Sequence, residues 1–404
     1  MSLSFEKELK HAIPPHAQYG VELCRNIDKW YEKRPQDLDE AYHVLRSMLL
    51  KMRSANASDL DMGGPGCNKA IWFRVFGVKK PVPDMGEFTN IETAAIILSW
   101  LSESQKTILY EHHSVDFSIN IEEEDVNYRF RTTVYFDNLY PCVNFRRINE
   151  KIFPLDVLAI PKPILDRMDL RYEKVGLVLV TGITGSGKST TLDSIIDMNN
   201  RNSQAHIVIV AHPIEYVHKS RLCIVRHREV ALDVNSFQEG AIQALRQDPD
   251  IIMVGEMRDP QTISIVLEIT DSGHKTFTTL HTSSAIDSIH RIVAEFPPEE
   301  QERIRNRLAD VLTVIISQKL VPTVDNKLIL AKEILSVDSS VQAAIRNKNI
   351  GEIYQMMIEG RKAGMTTLEQ DLHRLYRSGL ITNRTAMNYA NNKIRMMQLL
   401  SASA

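Results

Sequence analysis

The sequence predicts an α/β protein in which a small α+β domain precedes a domain with a mainly parallel sheet. Three observations lead to this prediction. A glycine-rich turn at 182–189 stands between an apolar run and a helical segment. After residue 175, apolar β-branched runs alternate with helical segments, which is typical of parallel strands joined by helices. Before residue 150, two alternating segments flank the acidic turn EEED (122–125), as in a β-hairpin.

Length, charge and cysteine usage narrow the class of protein. The 404 residues allow two or three domains, and the formal net charge of −3 gives no electrostatic basis for nucleic-acid binding. The four cysteines form no C-x-x-C pair, which argues against a structural zinc site and a secreted disulfide framework. The N-terminus carries charges, and no apolar run is long enough to span a bilayer. We therefore expect a soluble, cytoplasmic protein.

The first half of the chain contains three predicted segments. Residues 1–57 form a helical N-terminal extension, with an amphipathic stripe at Ala41, Leu45, Met48, Leu49 and Met52. Residues 58–150 form the small α+β domain, in which we predict a strand at 71–78, a helix at about 91–110 and a hairpin of 115–121 and 126–136. Residues 151–175 contain three prolines and form a linker that ends in a short helix.

The second half contains two predicted segments. Residues 176–338 form the nucleotide-binding domain, with strands at 176–181, 207–211, 251–255, 275–280 and 328–335. Residues 339–404 are helical, with breaks at Gly360, Gly364 and Gly379.

The segment GLVLVTGITGSGKSTTLDSII (176–196) has the order strand, glycine-rich turn, helix, and contains G-x-x-x-x-G-K-[ST]. In such a loop the backbone N–H groups face phosphate oxygens, while Lys188 is placed for the β- and γ-phosphates and Ser189 for Mg²⁺. A chance match would not bring the correct strand and helix with it. We therefore predict ATP and Mg²⁺ as cofactors, bound by Gly182, Thr184, Gly185, Ser186, Gly187, Lys188, Ser189 and Thr190.

Three further polar residues stand at the ends of predicted strands. The strand in IIMVGEMRD (251–259) ends in Gly255 and Glu256, and an acid there can orient or deprotonate the attacking water or hold Mg²⁺. The alternative is that Glu256 has only a structural role at the start of a turn. His274 and His281 bracket the next strand, and by themselves they indicate structural histidines and not a zinc site.

Taken in order, these motifs resemble the PilT family, the twitching-motility retraction ATPases of the secretion-ATPase superfamily. The resemblance covers about residues 58–390 and is carried by GITGSGKSTTL, LRQDPDIIMVGEMRD, SGHKTFTTLHTSSAIDSIHRI, ISQKL and GMTTLEQDLHRLYRSGLI. It implies a hexameric ring whose subunits have an N-terminal PAS-like domain and a C-terminal RecA-like P-loop ATPase domain. It also implies two partners, an inner-membrane pilus platform protein and a related retraction ATPase, and no nucleic acid. The ring would then be peripheral at the inner membrane.

The resemblance also implies roles for single residues. Glu256 matches the family's acid, and His274 and His281 match its histidine box, which couples nucleotide state to neighbouring structure. Arg131 and Arg146 match arginines that reach a neighbour's phosphates, for which a guanidinium is well suited. The alternative is that both arginines are solvated hairpin residues. Two other family arginines are absent, because Leu139 and Val175 stand in their places.

The stretch IVIVAHPIEY (207–216) departs from the family, which has I-E-D-P-I-E-Y there. Ala211 and His212 replace two carboxylates, of which the first is held to assist water activation or Mg²⁺ placement. Loss of ordinary general-base assistance would slow hydrolysis by about 10²–10⁴. Glu215 is retained and could partly compensate, but it lies on the other side of Pro213 and its position in the sequence does not match that of the lost acid. Hydrolysis is therefore expected to be slow or partner-dependent.

Three functions remain open at this point. The first is a motor that couples ATP hydrolysis to pilus retraction. The second is a PilT-like secretion or conjugation ATPase of the DotB type, since the motifs are shared. The third is a non-hydrolysing, nucleotide-binding regulatory subunit, which the change at 211–212 favours and the retained Lys188, Ser189 and Glu256 disfavour.

Overall fold

The computed structural model describes residues 3–75, 77–123, 126–148, 152–325 and 327–402. The chain forms two compact units, residues 1–150 and 151–404. Strands and helices are mixed in both units, so the predicted α/β class is confirmed.

The first unit is built on a six-stranded antiparallel sheet of order β3-β2-β1-β6-β5-β4. Its strands are β1 (Asp59–Gly63), β2 (Trp72–Val75), β3 (Val78–Pro81), β4 (Ser114–Glu123), β5 (Val126–Asp137) and β6 (Tyr140–Arg147). The predicted hairpin is the β4–β5 pair, in which Ser114 lies opposite Tyr135. The predicted strand at 71–78 is instead two strands, β2 and β3, that pair with each other.

Helices cover one face of this sheet and share its core. They are α1 (Glu6–Ala12), α2 (Gly20–Lys33), α3 (Pro35–Ser54), α4 (Asn90–Leu98) and α5 (Glu103–His112). The predicted stripe on α3 is completely buried, in the same core as the inward-facing strand residues Leu60 and Phe145. The helices of residues 3–57 are therefore part of the first unit's packing.

The single helix predicted at 91–110 is wrong, because the chain leaves the helix between α4 and α5. The Ser102 hydroxyl accepts a hydrogen bond from Gln105 N, and the Gln105 side chain accepts one from Ser102 N. This capping box satisfies the free amides of a new helix start, which an uninterrupted helix would not have.

The second unit is built on a seven-stranded sheet of order β13-β12-β7-β11-β10-β8-β9. Its strands are β7 (Gly176–Thr181), β8 (His206–Ala211), β9 (Ile224–Glu229), β10 (Ile251–Val254), β11 (Lys275–Leu280), β12 (Leu312–Pro322) and β13 (Leu328–Ser336). All pairs are parallel except β12–β13. The five predicted strands are present, and β9 and β12 are additional.

Helices pack on both faces of this sheet. They are α6 (Leu155–Leu158), α7 (Lys162–Met168), α8 (Lys188–Asn202), α9 (Phe237–Leu245), α10 (Pro260–Asp271), α11 (Ala285–Ala294), α12 (Pro298–Val311), α13 (Ser339–Arg346), α14 (Ile353–Glu359), α15 (Leu368–Arg377), α16 (Asn383–Tyr389) and α17 (Lys393–Ser401). Alternate residues of β7 enter different cores, Leu177 and Leu179 on one face and Val178 and Val180 on the other. None of the described helices is both long and apolar enough to cross a bilayer.

Each sheet has one edge that carries basic side chains. All four residues of β3 are exposed, among them Lys79, Lys80 and Pro81. At the edge of the second sheet, β9 carries Arg226 and Arg228.

Candidate functional site

The glycine-rich loop joins the end of β7 to the start of α8. Gly182, Gly185 and Gly187 have positive φ angles of 148°, 79° and 89°. At Gly182 a Cβ atom would lie 2.6 Å from the carbonyl oxygen of Gln318 on β12, so no other residue fits there without displacing backbone. The loop conformation therefore depends on glycine at the positions that the sequence motif specifies.

Lys188 begins α8 and its side chain folds back over the loop. Its Nζ donates to the carbonyl oxygens of Gly182 at 2.9 Å and Ile183 at 3.2 Å. Burial lowers the pKa of Lys188, whereas the charges of Glu256 and Glu215 raise it, and burial is the larger effect. The ammonium thus lies where it can exchange carbonyl oxygens for phosphate oxygens, with two carboxylates in electrostatic range.

Glu256 and His281 follow the carboxyl ends of the adjacent strands β10 and β11. Glu256 Oε1 lies 3.0 Å from His281 Nε2, and its Oε2 accepts a hydrogen bond from Arg258 Nε at 2.6 Å. Burial, followed by the charge of Lys188, lowers the pKa of His281 below its usual value. The imidazole is therefore neutral near pH 7, and it can hold the Glu256 carboxylate by donating from Nε2.

The Ala211–His212 pair lies at the end of β8, beside the Glu256 strand. Gly255 N donates to Val210 O at 2.7 Å, and a Cβ on Gly255 would lie 3.2 Å from the Cα of Ala211. The His212 Nδ1 lies 3.0 Å from the carbonyl oxygen of Val230, so the imidazole is engaged with the backbone after β9. Neither residue supplies a carboxylate at this strand end.

Glu215 is the retained acid for which the sequence predicts at most partial compensation. Although it lies four residues beyond the end of β8, its charge acts on Lys188 together with that of Glu256. The preceding residue is anchored, because Ile214 N donates to the buried carboxylate of Glu229 at 3.3 Å. The available signal was that Glu215 is the only carboxylate left in IVIVAHPIEY.

The two predicted histidines lie at opposite ends of β11. His274 precedes the strand, and its Nδ1 lies 3.1 Å from Ile269 O and 3.0 Å from Ser272 Oγ. Six strand residues separate it from His281, so the two residues are about 23 Å apart along the strand. Only His281 therefore joins Lys188 and Glu256 in this site.

The predicted arginines lie on the first unit, directly opposite each other on β5 and β6. Arg131 is exposed, and Arg146 Nε donates to Asp59 Oδ1 at 2.9 Å. Arg74 on β2 approaches the other oxygen of Asp59 at 3.4 Å. Asp59 is only 3% exposed, so one buried carboxylate fixes two guanidinium groups on the outer face of this sheet.

The residues of the loop fit a nucleotide phosphate. Thr184 and Gly185 are exposed, Ser189 and Thr190 are half-buried in the first turn of α8, and the Ser186 hydroxyl is buried with no hydrogen-bond partner among the described residues. Ser189 could hold Mg²⁺, while both oxygens of Glu256 are already engaged by His281 and Arg258. The described residues include no group of three His, Cys, Asp or Glu side chains arranged to bind a metal by themselves.

Comparison with known proteins identifies the family. The model of the family described as "Type II/IV secretion system protein" matches residues 40–401. A twitching motility protein of Neisseria gonorrhoeae is 35% identical over 88% of this chain and 92% of its own. A crystal structure of the pilus retraction motor PilT with bound ADP has a TM-score of 0.79 at 35% identity, covering 87% of this chain and 98% of that one. The ATPase DotB of Legionella pneumophila has a TM-score of 0.69 at 27% identity, covering 90% and 96%.

The site and these similarities agree on one assignment. The predicted resemblance is confirmed, and so is the prediction of an ATPase. The chain belongs to the type II/IV secretion system protein family and, within it, to the PilT-family ATPases.

Proposed function

We propose that this protein hydrolyses Mg-ATP within a homohexameric ring and couples the reaction to retraction of a type IV pilus. The observation that carries the proposal is the position of Lys188 over the glycine-rich loop, where its Nζ lies 2.9 Å from the carbonyl oxygen of Gly182 and is subject to the charges of Glu256 and Glu215. Loss of the acid at position 211 therefore leaves a site with two acids.

Each residue has a defined task in this reaction. The loop amides and Lys188 bind the β- and γ-phosphates, and Ser189 holds Mg²⁺, which supplies neutralisation of phosphate charge when bound. Glu256 orients the attacking water and accepts its proton, and Glu215 assists through its negative charge near Lys188. His281 fixes the Glu256 carboxylate at 3.0 Å.

Arg131 and Arg146 are proposed to contact the phosphates of a neighbouring subunit. Their exposure on the sheet of the first unit supports this role, as does the fixed position of Arg146 on Asp59. His274 is proposed to respond to a neighbouring subunit as well, because it is about 23 Å from His281 on its own chain. The proposed partners are a platform protein of the inner membrane, where the ring would be peripheral, and a related retraction ATPase.

The likeness to DotB favours a second candidate, a PilT-like secretion or conjugation ATPase. The chemistry of the site would be the same, and only the load on the ring would differ. Ala211 and His212 replace two acids of the family, but Glu215 is retained and its charge acts on Lys188. This weakens the regulatory, non-hydrolysing alternative.

Steady-state ATPase activity of the purified protein tests the proposal. Lys188→Ala and Glu256→Gln should each abolish turnover. Glu268→Gln, the same change at an exposed position of α10, should leave it unaltered. Tight binding of Mg-ATP with no turnover above the two variants would refute hydrolysis and favour the regulatory function. If deletion of the gene left pilus retraction unchanged, the proposed motor function would be refuted.

A further inference from the structure

A buried carboxylate on β13 lies at the amino ends of two helices. Glu333 is 4% exposed, and its Oε1 accepts a hydrogen bond from the backbone amide of Ala285, the first residue of α11, at 2.7 Å. The amide of Leu368, the first residue of α15, also faces Glu333 and lowers its pKa. The next residue of β13, Ile334, exchanges backbone hydrogen bonds with Thr366, just before α15, at 2.8 and 3.0 Å. The first amides of a helix have no partner within it and lie at its positive end, so a carboxylate stabilises both helices there.

The first of these helices is continuous with the nucleotide site. Ala285 follows His281 by four residues, and Arg291 on α11 donates to the carbonyl oxygen of His281 at 3.0 Å. The Thr282 hydroxyl also lies 2.7 Å from that of Ser288 on α11. The His281 loop (residues 281–284) and α11 are thereby tied together, and His281 contacts Glu256.

The second helix belongs to the C-terminal helical region. Glu369, the second residue of α15, is fully buried and accepts hydrogen bonds from Asn392 N at 2.8 Å and from the Tyr354 hydroxyl at 3.0 Å. A parallel link runs from this region to the loop itself, because Asn391 Nδ2 donates to Ser283 O at 3.1 Å. The His281 loop and α11 are thus linked to the C-terminal helical region in two places, through Glu333 and through Asn391.

Burial makes the Glu333 carboxylate dependent on the amides that face it. The pKa of Glu333 is raised to about 7, chiefly by burial and also by the charges of Glu369 and Asp287, while the amides of Ala285 and Leu368 act in the opposite direction. A buried anion that loses one donor is left undersatisfied, so displacement of either helix disfavours the position of the other.

We propose that Glu333 is a positioning residue that couples the His281 loop at the nucleotide site to the C-terminal helices. The proposal rests on the proposed function, since it requires the contact of His281 with Glu256 to change with the bound nucleotide. Nucleotide state at Lys188 and Glu256 then shifts α11, and the shared carboxylate carries the shift to α15. A carboxylate with only a structural role would stabilise both helices without transmitting a nucleotide signal.

Hydrogen–deuterium exchange of the full-length protein, with and without Mg-ADP, separates these possibilities. In the wild type, saturating Mg-ADP should slow exchange of the α15 amides by about fivefold or more, the scale of an allosteric coupling. Glu333→Gln should reduce this effect to less than about twofold, with the affinity for a fluorescent ADP analogue changed by no more than about twofold.

A matched control and a second variant complete the test. Asp371→Asn also removes a tie between β13 and α15, since Asp371 accepts from Lys332 N at 3.0 Å, but this tie does not involve α11. It should raise basal exchange and preserve the ADP effect. Ala285→Pro removes only the N–H that contacts Glu333, at the first helical position where proline is tolerated. It should reduce the ADP effect as Glu333→Gln does, to less than about twofold, and it decides the case if Glu333→Gln fails to fold.

Each remaining outcome has a separate meaning. A full ADP effect in the folded Glu333→Gln or Ala285→Pro variant would overturn the coupling. The coupling would also be overturned if the wild type binds ADP but hydrogen exchange of the α15 amides does not change. A wild type that binds no nucleotide would overturn the proposed function itself.

Discussion

Replacement of Lys275 by methionine should change how the stability of the second unit depends on pH. Lys275 begins β11 with its side chain fully buried, and Nζ donates to the carbonyl oxygen of Arg167 at 2.8 Å. Burial lowers the pKa of Lys275 to about 8, although the charge of Glu173 raises it. The folded chain therefore loses this proton at a lower pH than the unfolded chain, for which the ordinary value is 10.5.

The sign and size of the effect follow from this difference. Between pH 8 and 10.5 the unfolded chain binds more protons at this site, so the free energy of unfolding rises with pH. The shift of roughly 2.5 units corresponds to a gain of about 3 kcal/mol across this window. Below pH 8 the lysine is charged in both states, and its burial cost is constant.

Urea unfolding at several pH values, followed by circular dichroism, measures this gain. The wild type should gain stability relative to Lys275→Met by about 1.4 kcal/mol per pH unit above pH 8. Lys174→Met, at an exposed position, is the matched control and should keep the wild-type slope. All three tryptophans, Trp30, Trp72 and Trp100, lie in the first unit, so fluorescence should report a transition that Lys275→Met leaves unchanged. Equal slopes for wild type and Lys275→Met would refute the reasoning.

Three further changes test the site and its supporting contacts. Lys188→Ala should weaken ATP binding by roughly 10- to 100-fold, as measured with a fluorescent nucleotide, because charge-assisted bonds to phosphate are lost; unchanged affinity would contradict the assignment of the loop. Glu215→Gln should lower kcat by about 10²–10⁴ with little change in ATP affinity, and undiminished turnover would remove Glu215 from the reaction. Burial alone would raise the pKa of Asp59, but the hydrogen bonds from Ser58 and Arg146 and the charges of Arg146 and Arg74 outweigh it, so the pKa is lowered. The folded carboxylate therefore stabilises the first unit above its unfolded pKa of about 4, and this stabilisation is lost as pH falls. Tryptophan fluorescence should show Asp59→Asn unfolding with a flatter acid limb than the wild type, and identical limbs would count against the Asp59 contacts.

The strands of the second unit were predictable where they are buried and bounded by turns. Runs such as IVIVA and IIMV have no other satisfactory location than the middle of a parallel sheet. β12 was missed because α12 ends at Val311 and the strand begins at Leu312, with no glycine or proline between them to mark a change. β9 was not among the strands predicted from the apolar pattern, because Arg226, His227 and Arg228 interrupt that pattern in this edge strand.

The candidate site was predictable where one motif contains all its parts. The glycine-rich loop, Lys188 and Ser189 are local in sequence, and their geometry follows from one turn. The influence of Glu215 on Lys188 was not predictable, because alignment along the sequence does not show where the segment after β8 lies in the fold. His274 shows the converse, since a pair of similar residues in one motif lies at the two ends of a strand.

The basic edges of the two sheets have a consequence for assembly. A bare strand edge invites another strand to add by backbone hydrogen bonding, and this is a common route to aggregation. On β3, Lys80 would bring like charges together in such a pairing, while Lys79 is already paired with Asp61 at 2.7 Å, and Pro81 lacks an N–H to donate. Arg226 and Arg228 have the same effect on β9. Strand addition between copies of this protein is therefore disfavoured at these two edges, in free solution and in the proposed ring alike.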